Sequence, residues 1–354
     1  MSIISALNTI VESKDLSESD MYLAFTEIMS GKATDAQIGA FLVALRMKGE
    51  SIDEISGAVS AMRSLSVRVN VEHEHLVDIV GTGGDQSNLF NVSSATSMVV
   101  AAAGGKVAKH GNRSVSSSSG AADVLEVLGI NINLDPIQIA DCIKTVGLGF
   151  MFAPLHHKAM KHAIGPRKEL GLRTIFNILG PMTNPAGVNR QLIGVYDKRL
   201  CRPMAEVLGK TGSEHILVVH SNDGLDEISC ADETFIVELK SGVISEYVIS
   251  PEDFGIKKTP LDSLTAKTSE DSARTIETLF SNKSSVGEEI VIMNAGAALY
   301  VSGLSNTIAE GCILASETIS SGRVYAKLKE LCNFTQQFTC LLYTSDSADD
   351  TCCV

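Results

Sequence analysis

The sequence is short of long apolar runs and of basic residues. Its longest apolar run lies near Met98 to Ala103, far too short to cross a bilayer. Basic residues are outnumbered, with 29 Lys and Arg against 42 Asp and Glu, a net charge of −13. That balance argues against a general nucleic-acid binder or a membrane-surface protein. Residues 1–20 have no basic start followed by an apolar core, so no secretory signal is read and the cytoplasm is the expected compartment. Cys142, Cys201, Cys230, Cys312 and Cys332 stand singly, and no pair has metal-ligand spacing before Cys352-Cys353. Scattered cysteines of this kind behave as small apolar residues, and disulfides are not expected in a cytosolic chain.

What is present fits a globular protein with a sizeable core: 354 residues, 44% apolar and 20% charged, enough for two domains. Residues 1–68 read as helices only. Thr34 to Gln37 and Ser51 to Glu54 fit capping boxes, and Ile38, Phe41, Leu42 and Leu45 then fall on one helical face. From Leu76 the texture alternates. Strands are predicted at Leu76–Val80, Lys106–Lys109, Gln191–Tyr196, His215–His220 and Thr234–Leu239. Helices are predicted near Ser93–Ala103, Ala121–Leu128, Asp135–Val146, Ser269–Phe280, Val286–Val301 and Thr307–Leu331. The expected fold is α/β: a small N-terminal all-helical domain, then a large α/β domain with a mostly parallel central sheet covered by helices. The boundaries are 1–68, 69–337 and an atypical tail, 338–354, with the helical domain open to completion by part of 155–185. The tail carries three of the eight cysteines and shows no helical or strand period.

Two loops carry most of the chemistry. Gly81-Thr82-Gly83-Gly84-Asp85 follows an apolar strand, and its glycines permit positive φ and close backbone approach. Asn91-Val92-Ser93-Ser94 then opens a helix whose first N–H groups favour an anion. The spacing is neither the dinucleotide fingerprint nor the Walker loop. Lys109-His110-Gly111-Asn112-Arg113-Ser114-Val115-Ser116-Ser117 packs cations, hydroxyls and an amide into nine residues, an inventory suited to a phosphate or diphosphate. Both loops sit at strand ends, where α/β folds place ligands. Asp223 to Glu227 follows another strand. Its acids suit Mg²⁺ shared with substrate phosphates, or else form a solvated turn. Gly165-Pro166-Arg167 is placed after a helix bearing His156, His157 and His162. Its arginine offers a fork for a carboxylate, or else a surface ion pair.

These segments, with Gly120 to Glu126 and Asn177 to Pro181, occur in an order that closely resembles the anthranilate phosphoribosyltransferase family over roughly residues 3 to 337. The resemblance implies a homodimer of tryptophan biosynthesis, paired through the helical domain, that joins anthranilate to 5-phosphoribosyl 1-diphosphate and releases diphosphate. It implies that Gly81, Gly84, Asp85, Asn91, Val92, Ser93, Ser94, Lys109 to Ser117 and Ala121 bind the donor. It gives Mg²⁺ to Ser93, Asp226 and Glu227. It gives anthranilate to Gly81, Asn112 and Arg167, with Pro154 and His157 along its channel. Gln86, Leu89 and Ala121 depart from the usual pattern, and Leu89 removes one hydrogen bond to the donor. No nucleic acid or membrane is implied as partner.

The chemistry such a reaction needs agrees with the residues. Displacement at the anomeric carbon frees a highly charged diphosphate and develops positive charge on the sugar. Positioning and charge neutralisation matter more than a nucleophile. The competing readings on the same fold are a nucleoside phosphorylase, which lacks the Asn112-Arg113 signature, and a silent nucleic-acid-binding relative, which predicts a basic surface.

Overall fold

The structure is a computed structural model that describes residues 1–71, 74–85, 87–113, 120–281 and 286–344, the last six by backbone alone. Four helices open the chain: α1 (Ile3–Val11), α2 (Glu18–Met29), α3 (Asp35–Lys48) and α4 (Ile52–Ser64). Both expected capping boxes form, at Thr34 with Gln37 and at Ser51 with Glu54. Then come β1 (Leu76–Gly81), α5 (Val92–Ala102), β2 (Lys106–Gly111), α6 (Ala121–Val127), α7 (Pro136–Val146) and β3 (Leu148–Phe152). A crossing region follows, with α8 (Ala153–His156), α9 (Lys161–Leu170) and α10 (Phe176–Leu179). The rest is β4 (Arg190–Gly194), α11 (Cys201–Lys210), β5 (His215–Ser221), β6 (Thr234–Lys240), β7 (Val243–Ile249), α12 (Ser269–Phe280), α13 (Glu288–Ser302), α14 (Ile308–Ser320) and α15 (Arg323–Thr344).

The strands form one sheet in the order β3-β2-β1-β4-β5-β6-β7. The first five in that order run parallel, and β6 and β7 close the sheet antiparallel. Residues alternate between two buried faces along each central strand. Leu192, Leu217 and Val219 pack under α5, α13 and α14. Ile193, Ile216 and Val218 face the other way, into a core shared with α1 to α4 and α11. Ala163 of α9 and Phe176 of α10 are buried in that second core, Phe176 with its ring 5.4 Å from Phe25.

Four local expectations differ from the structure. β3 and β7 were not read from the sequence: β3 is a five-residue run containing Gly149, and β7 is a largely exposed edge strand without a clear apolar face. The broad helix at 307–331 is two helices, broken at Ser321-Gly322, where Gly322 has φ +74°. Its second half continues through residues 338–344, into the tail in which no period was read. Phe334 and Phe338 account for the start of that continuation, since residues four apart meet on one helix face and their rings stack edge-on at 5.6 Å. Residues 345–354 lie outside the described residues. Pro166 and Arg167 do not follow a helix but sit inside α9. The proline removes only the bond to the carbonyl of His162, and α9 closes on left-handed Gly171.

Gly39 in α3 has no packing duty, since an added Cβ there meets nothing within 4 Å. Gly39→Ala is expected to raise stability by about 0.5–1 kcal/mol through lower backbone entropy of the unfolded chain. A denaturant midpoint shifted upward at unchanged m-value is the check.

Candidate active site

β1 leads to β2 on one side of the sheet, and β4 leads to β5 on the other. The chain therefore reverses its direction of travel across the sheet between β1 and β4, which lie side by side. Ligands in open α/β sheets bind at such a switch point, beyond the carboxyl ends of the strands. Here the loops after β1, β2, β4 and β5 meet.

Gly81 and Gly194 end β1 and β4 in register and form the floor of the site. A Cβ on Gly194 would lie 1.4 Å from the carbonyl oxygen of Asp226, and one on Gly81 would lie 2.4 Å from Asp226 Oδ2. The backbone of the acidic loop thus rests directly on two glycines. Gly83 and Gly84 follow with φ of +67° and +81°, and the Gly83 N–H donates to Asp226 Oδ2 at 2.7 Å. That turn also brings Asp85 close to Asp226.

Three carboxylates therefore share one small volume. Burial, and then the charge of Asp85, pushes Asp226 up to about 7. Burial, then Asp226 and Asp85, holds Glu227 well above the usual carboxylate range. Lys109 reaches the same region from β2 and is 2% exposed. Its Nζ donates to the Ile79 carbonyl at 2.7 Å and to Ser93 Oγ at 3.1 Å. Burial lowers its pKa to about 8, against the raising fields of Asp78 and Glu227. A cavity of about 10 Å³ separates Ser93 and Thr96 from Asp226 and Glu227. Among the described residues, no three His, Cys, Asp or Glu side chains are grouped to hold a metal ion by themselves. Such a donor set, excess negative charge with an open side, fits Mg²⁺, which keeps part of its shell for water and substrate phosphate.

The helix N-terminus stands where the sequence put it. Asn91 caps α5, its Oδ1 accepting the Ser94 N–H at 2.9 Å. Val92 is buried and offers only its backbone. Ser94 Oγ is buried without a hydrogen-bond partner.

The β2 loop is less uniform than its sequence. The His110 ring is buried 5.1 Å from that of His157, on the residues just after α8. Burial holds His110 well below its ordinary pKa and His157 at about 4, so both rings are neutral. Pro154, on α8, is exposed. Gly111 packs against Phe150 and Ala121, while Asn112 is exposed. Arg113 turns away to α6, with bonds to Glu126 of 2.5 and 2.9 Å and to Asp123 of 2.7 Å. Ser114, Val115, Ser116 and Ser117 lie outside the described residues, as does Gln86. Leu89 is buried and bridges to Thr265.

Arg167 sits half-buried on α9 with its guanidinium 4.9 Å over the Phe176 ring and no acidic partner among the described residues. A second arginine, Arg173, carried no sequence signal. Its Nη2 donates to the Gly84 carbonyl at 2.7 Å and its guanidinium stacks 3.9 Å over Tyr196, while Arg46 of α3 donates to the Arg173 carbonyl. It ties the glycine loop to the helical layer. Asp78 was also missed, although a lone acid inside an apolar strand was a visible anomaly. It accepts from Asn184 Nδ2 at 2.7 Å and from the His110 N–H at 3.2 Å. Burial raises its pKa to about 6.

Among the described residues of the site there is no cysteine and no hydroxyl bonded to a histidine. The groups present suit the orientation and neutralisation of an anion, the work of a group-transfer enzyme acting on a phosphorylated substrate. Residues 73–325 match the model described as Glycosyl transferase family, a/b domain, and residues 4–66 match that family's helical bundle domain. The chain belongs to this family and, within it, to the anthranilate phosphoribosyltransferases. It is 55% identical over 340 residues to the anthranilate phosphoribosyltransferase of Cellvibrio japonicus, covering 95% of this chain and 99% of that one. The Thermus thermophilus enzyme superposes with a TM-score of 0.89 at 37% identity, over 94% of this chain and 99% of that one. The Saccharomyces cerevisiae enzyme, in complex with PRPP and Mg, gives 0.86 at 28% identity, over 95% and 98%.

Proposed function

We infer that this site carries out the family's reaction with the following division of labour. The enzyme transfers the phosphoribosyl group of PRPP to the amine of anthranilate and releases diphosphate, a step of tryptophan biosynthesis. The observation that carries this reading is the meeting of Lys109, Ser93 and the Asp226-Glu227 pair at the switch point.

Lys109, the first N–H groups of α5 and the hydroxyls of Ser93 and Ser94 bind the donor together with Gly81, Gly84, Asp85 and Asn91. Val92 and Ala121 contribute backbone, and His110 to Ser117 are assigned to the same ligand. Arg113 joins by exchanging Glu126 and Asp123 for a phosphate oxygen. Ser93, Asp226 and Glu227 hold Mg²⁺, which neutralises diphosphate charge when bound. Gly81, Asn112 and Arg167 receive anthranilate, with Pro154 and His157 on its approach. The aromatic amine attacks through its own lone pair, so the neutral histidines serve shape and not proton transfer.

The proposed domains are residues 1–68 with part of 155–185, and 69–337. Support comes from Ala163 and Phe176, which share the core of α1 to α4. The helical layer exposes Ile4, Val11, Leu23 and Met47, the kind of surface a homodimer covers. No described helix is long and apolar enough to cross a membrane. Cytoplasmic residence is proposed on composition.

Arg167 gives the sharpest test of the acceptor assignment. Arg167→Ala should raise the anthranilate KM ten- to a hundred-fold, from a charge-assisted bond worth roughly 1.5–3 kcal/mol. The PRPP KM should stay nearly constant, and Arg167→Lys should recover only part, since a point charge lacks the planar fork. An unchanged anthranilate KM in a folded Arg167→Ala protein refutes the assignment.

A further inference from the structure

We propose that Asn294, on α13 and outside every loop named so far, is the positioning residue of the metal-binding acids. The geometry is specific. Asn294 is 3% exposed and uses its whole amide on backbone. Its Oδ1 accepts the Ile228 N–H at 3.0 Å, and its Nδ2 donates to the Ile228 carbonyl at 2.8 Å. A further bond from Nδ2 to the Ile290 carbonyl, also 2.8 Å, locks the rotamer to its own helix. One side chain thus grips both polar groups of the residue that follows Glu227.

The position explains why such a grip is needed. The acidic loop has no regular structure between Ser221 and Thr234. Its Asp226 backbone lies on Gly81 and Gly194 with no side chain between. The glycines supply a floor but no restraint along the loop, and the Gly83 N–H holds only the tip of Asp226. None of these contacts fixes Glu227, whose like-charged neighbours repel it. Leu225 and Ile228 anchor the loop in the core on either side of the acids, and Asn294 adds a polar clamp on the backbone next to Glu227. It also lines the same small cavity as Ser93, Asp226 and Glu227. Burying an amide costs stability unless every polar atom is paired, and here both amide atoms are paired with the loop. Outer partners that orient metal ligands typically govern metal affinity by about 10–100-fold when removed.

The inference rests on the assignment of Mg²⁺ to Asp226 and Glu227, so its test carries a control for that assignment. Mn²⁺ is titrated by electron paramagnetic resonance into the full-length protein with PRPP present, and steady-state kinetics are run beside it. Asn294→Ala should weaken Mn²⁺ binding by roughly ten-fold or more and raise the PRPP KM in step. Its anthranilate KM should stay within about two-fold. Asn294→Ser, which leaves a smaller gap, should move the same way and serves if the alanine variant fails to fold. Leu299→Ala, a buried truncation further along α13, should lower the melting temperature without moving Mn²⁺ binding. Wild-type Mn²⁺ affinity and PRPP KM in a folded Asn294 variant overturn the proposal, as does an equal loss in Leu299→Ala. If Asp226→Asn with Glu227→Gln binds Mn²⁺ as tightly as the unaltered protein, the metal assignment itself falls instead.

Discussion

Asp226→Asn combined with Glu227→Gln should reduce turnover by roughly 10²–10³-fold or more, the scale of losing preorganised charge stabilisation at a reacting site. The same variant should keep its fold, because Asn and Gln match the shapes of the acids and remove charge from a crowded pocket. A second signature separates it from ordinary damage. Asp226 is raised to about 7 in the folded protein by burial and by Asp85, against about 4 in an unfolded chain. The folded state therefore binds that proton more tightly. The stability this contributes is fully present below about pH 4 and is lost as pH rises through about 7. Glu227 is shifted in the same direction. Metal-free protein should thus lose stability between about pH 4 and 7, and the double variant should lose distinctly less over that interval. Denaturation at both pH values shows this directly. Normal turnover at limiting Mg²⁺ in the double variant would remove the pair from the site.

Gly194→Ala is expected to be at least as damaging, for a steric reason. The new Cβ would fall 1.4 Å from the Asp226 carbonyl oxygen and 2.3 Å from its carbon, both backbone atoms. No rotamer change relieves such an overlap, so either β4 or the acidic loop must move. A shift on the order of 1 Å in a catalytic group costs about 10²-fold in rate, and overpacking a core adds about 1–3 kcal/mol of destabilisation. Gly209→Ala makes the matched control. It sits in α11, where the added carbon would meet Leu239 at an ordinary 3.5 Å. That variant should keep full activity. A Gly194→Ala protein with unaltered kinetics would show that the acidic loop does not rest on this floor.

Much of the fold is legible in the sequence. Helices announced themselves through Thr34 and Ser51 caps and through apolar residues at helical spacing. The central strands announced themselves through unbroken apolar runs between glycine-rich turns. The loops after β1 and β2 were legible as candidate ligand loops because glycine, lysine and hydroxyls at a strand end have few other uses. Contacts distant in sequence were not legible. Gly194 reads as the end of a strand until Asp226, far along the chain, is seen lying on it. Arg173 is one arginine among many until its bond to Gly84, across 89 residues, appears. Asn294 stands among apolar residues in the middle of α13, and only packing against the acidic loop reveals its use. Arg113 adds another such contact, since its ion pairs with Asp123 and Glu126 of α6 are not readable from the loop sequence.

The central claim is that this chain uses PRPP to consume anthranilate. Anthranilate fluoresces, so its disappearance can be followed continuously with purified protein. Fluorescence should fall only when PRPP and Mg²⁺ are both present, should stop on addition of excess chelator, and should release one diphosphate for each anthranilate consumed. Steady fluorescence in the complete mixture, from folded protein at neutral pH, would contradict the account.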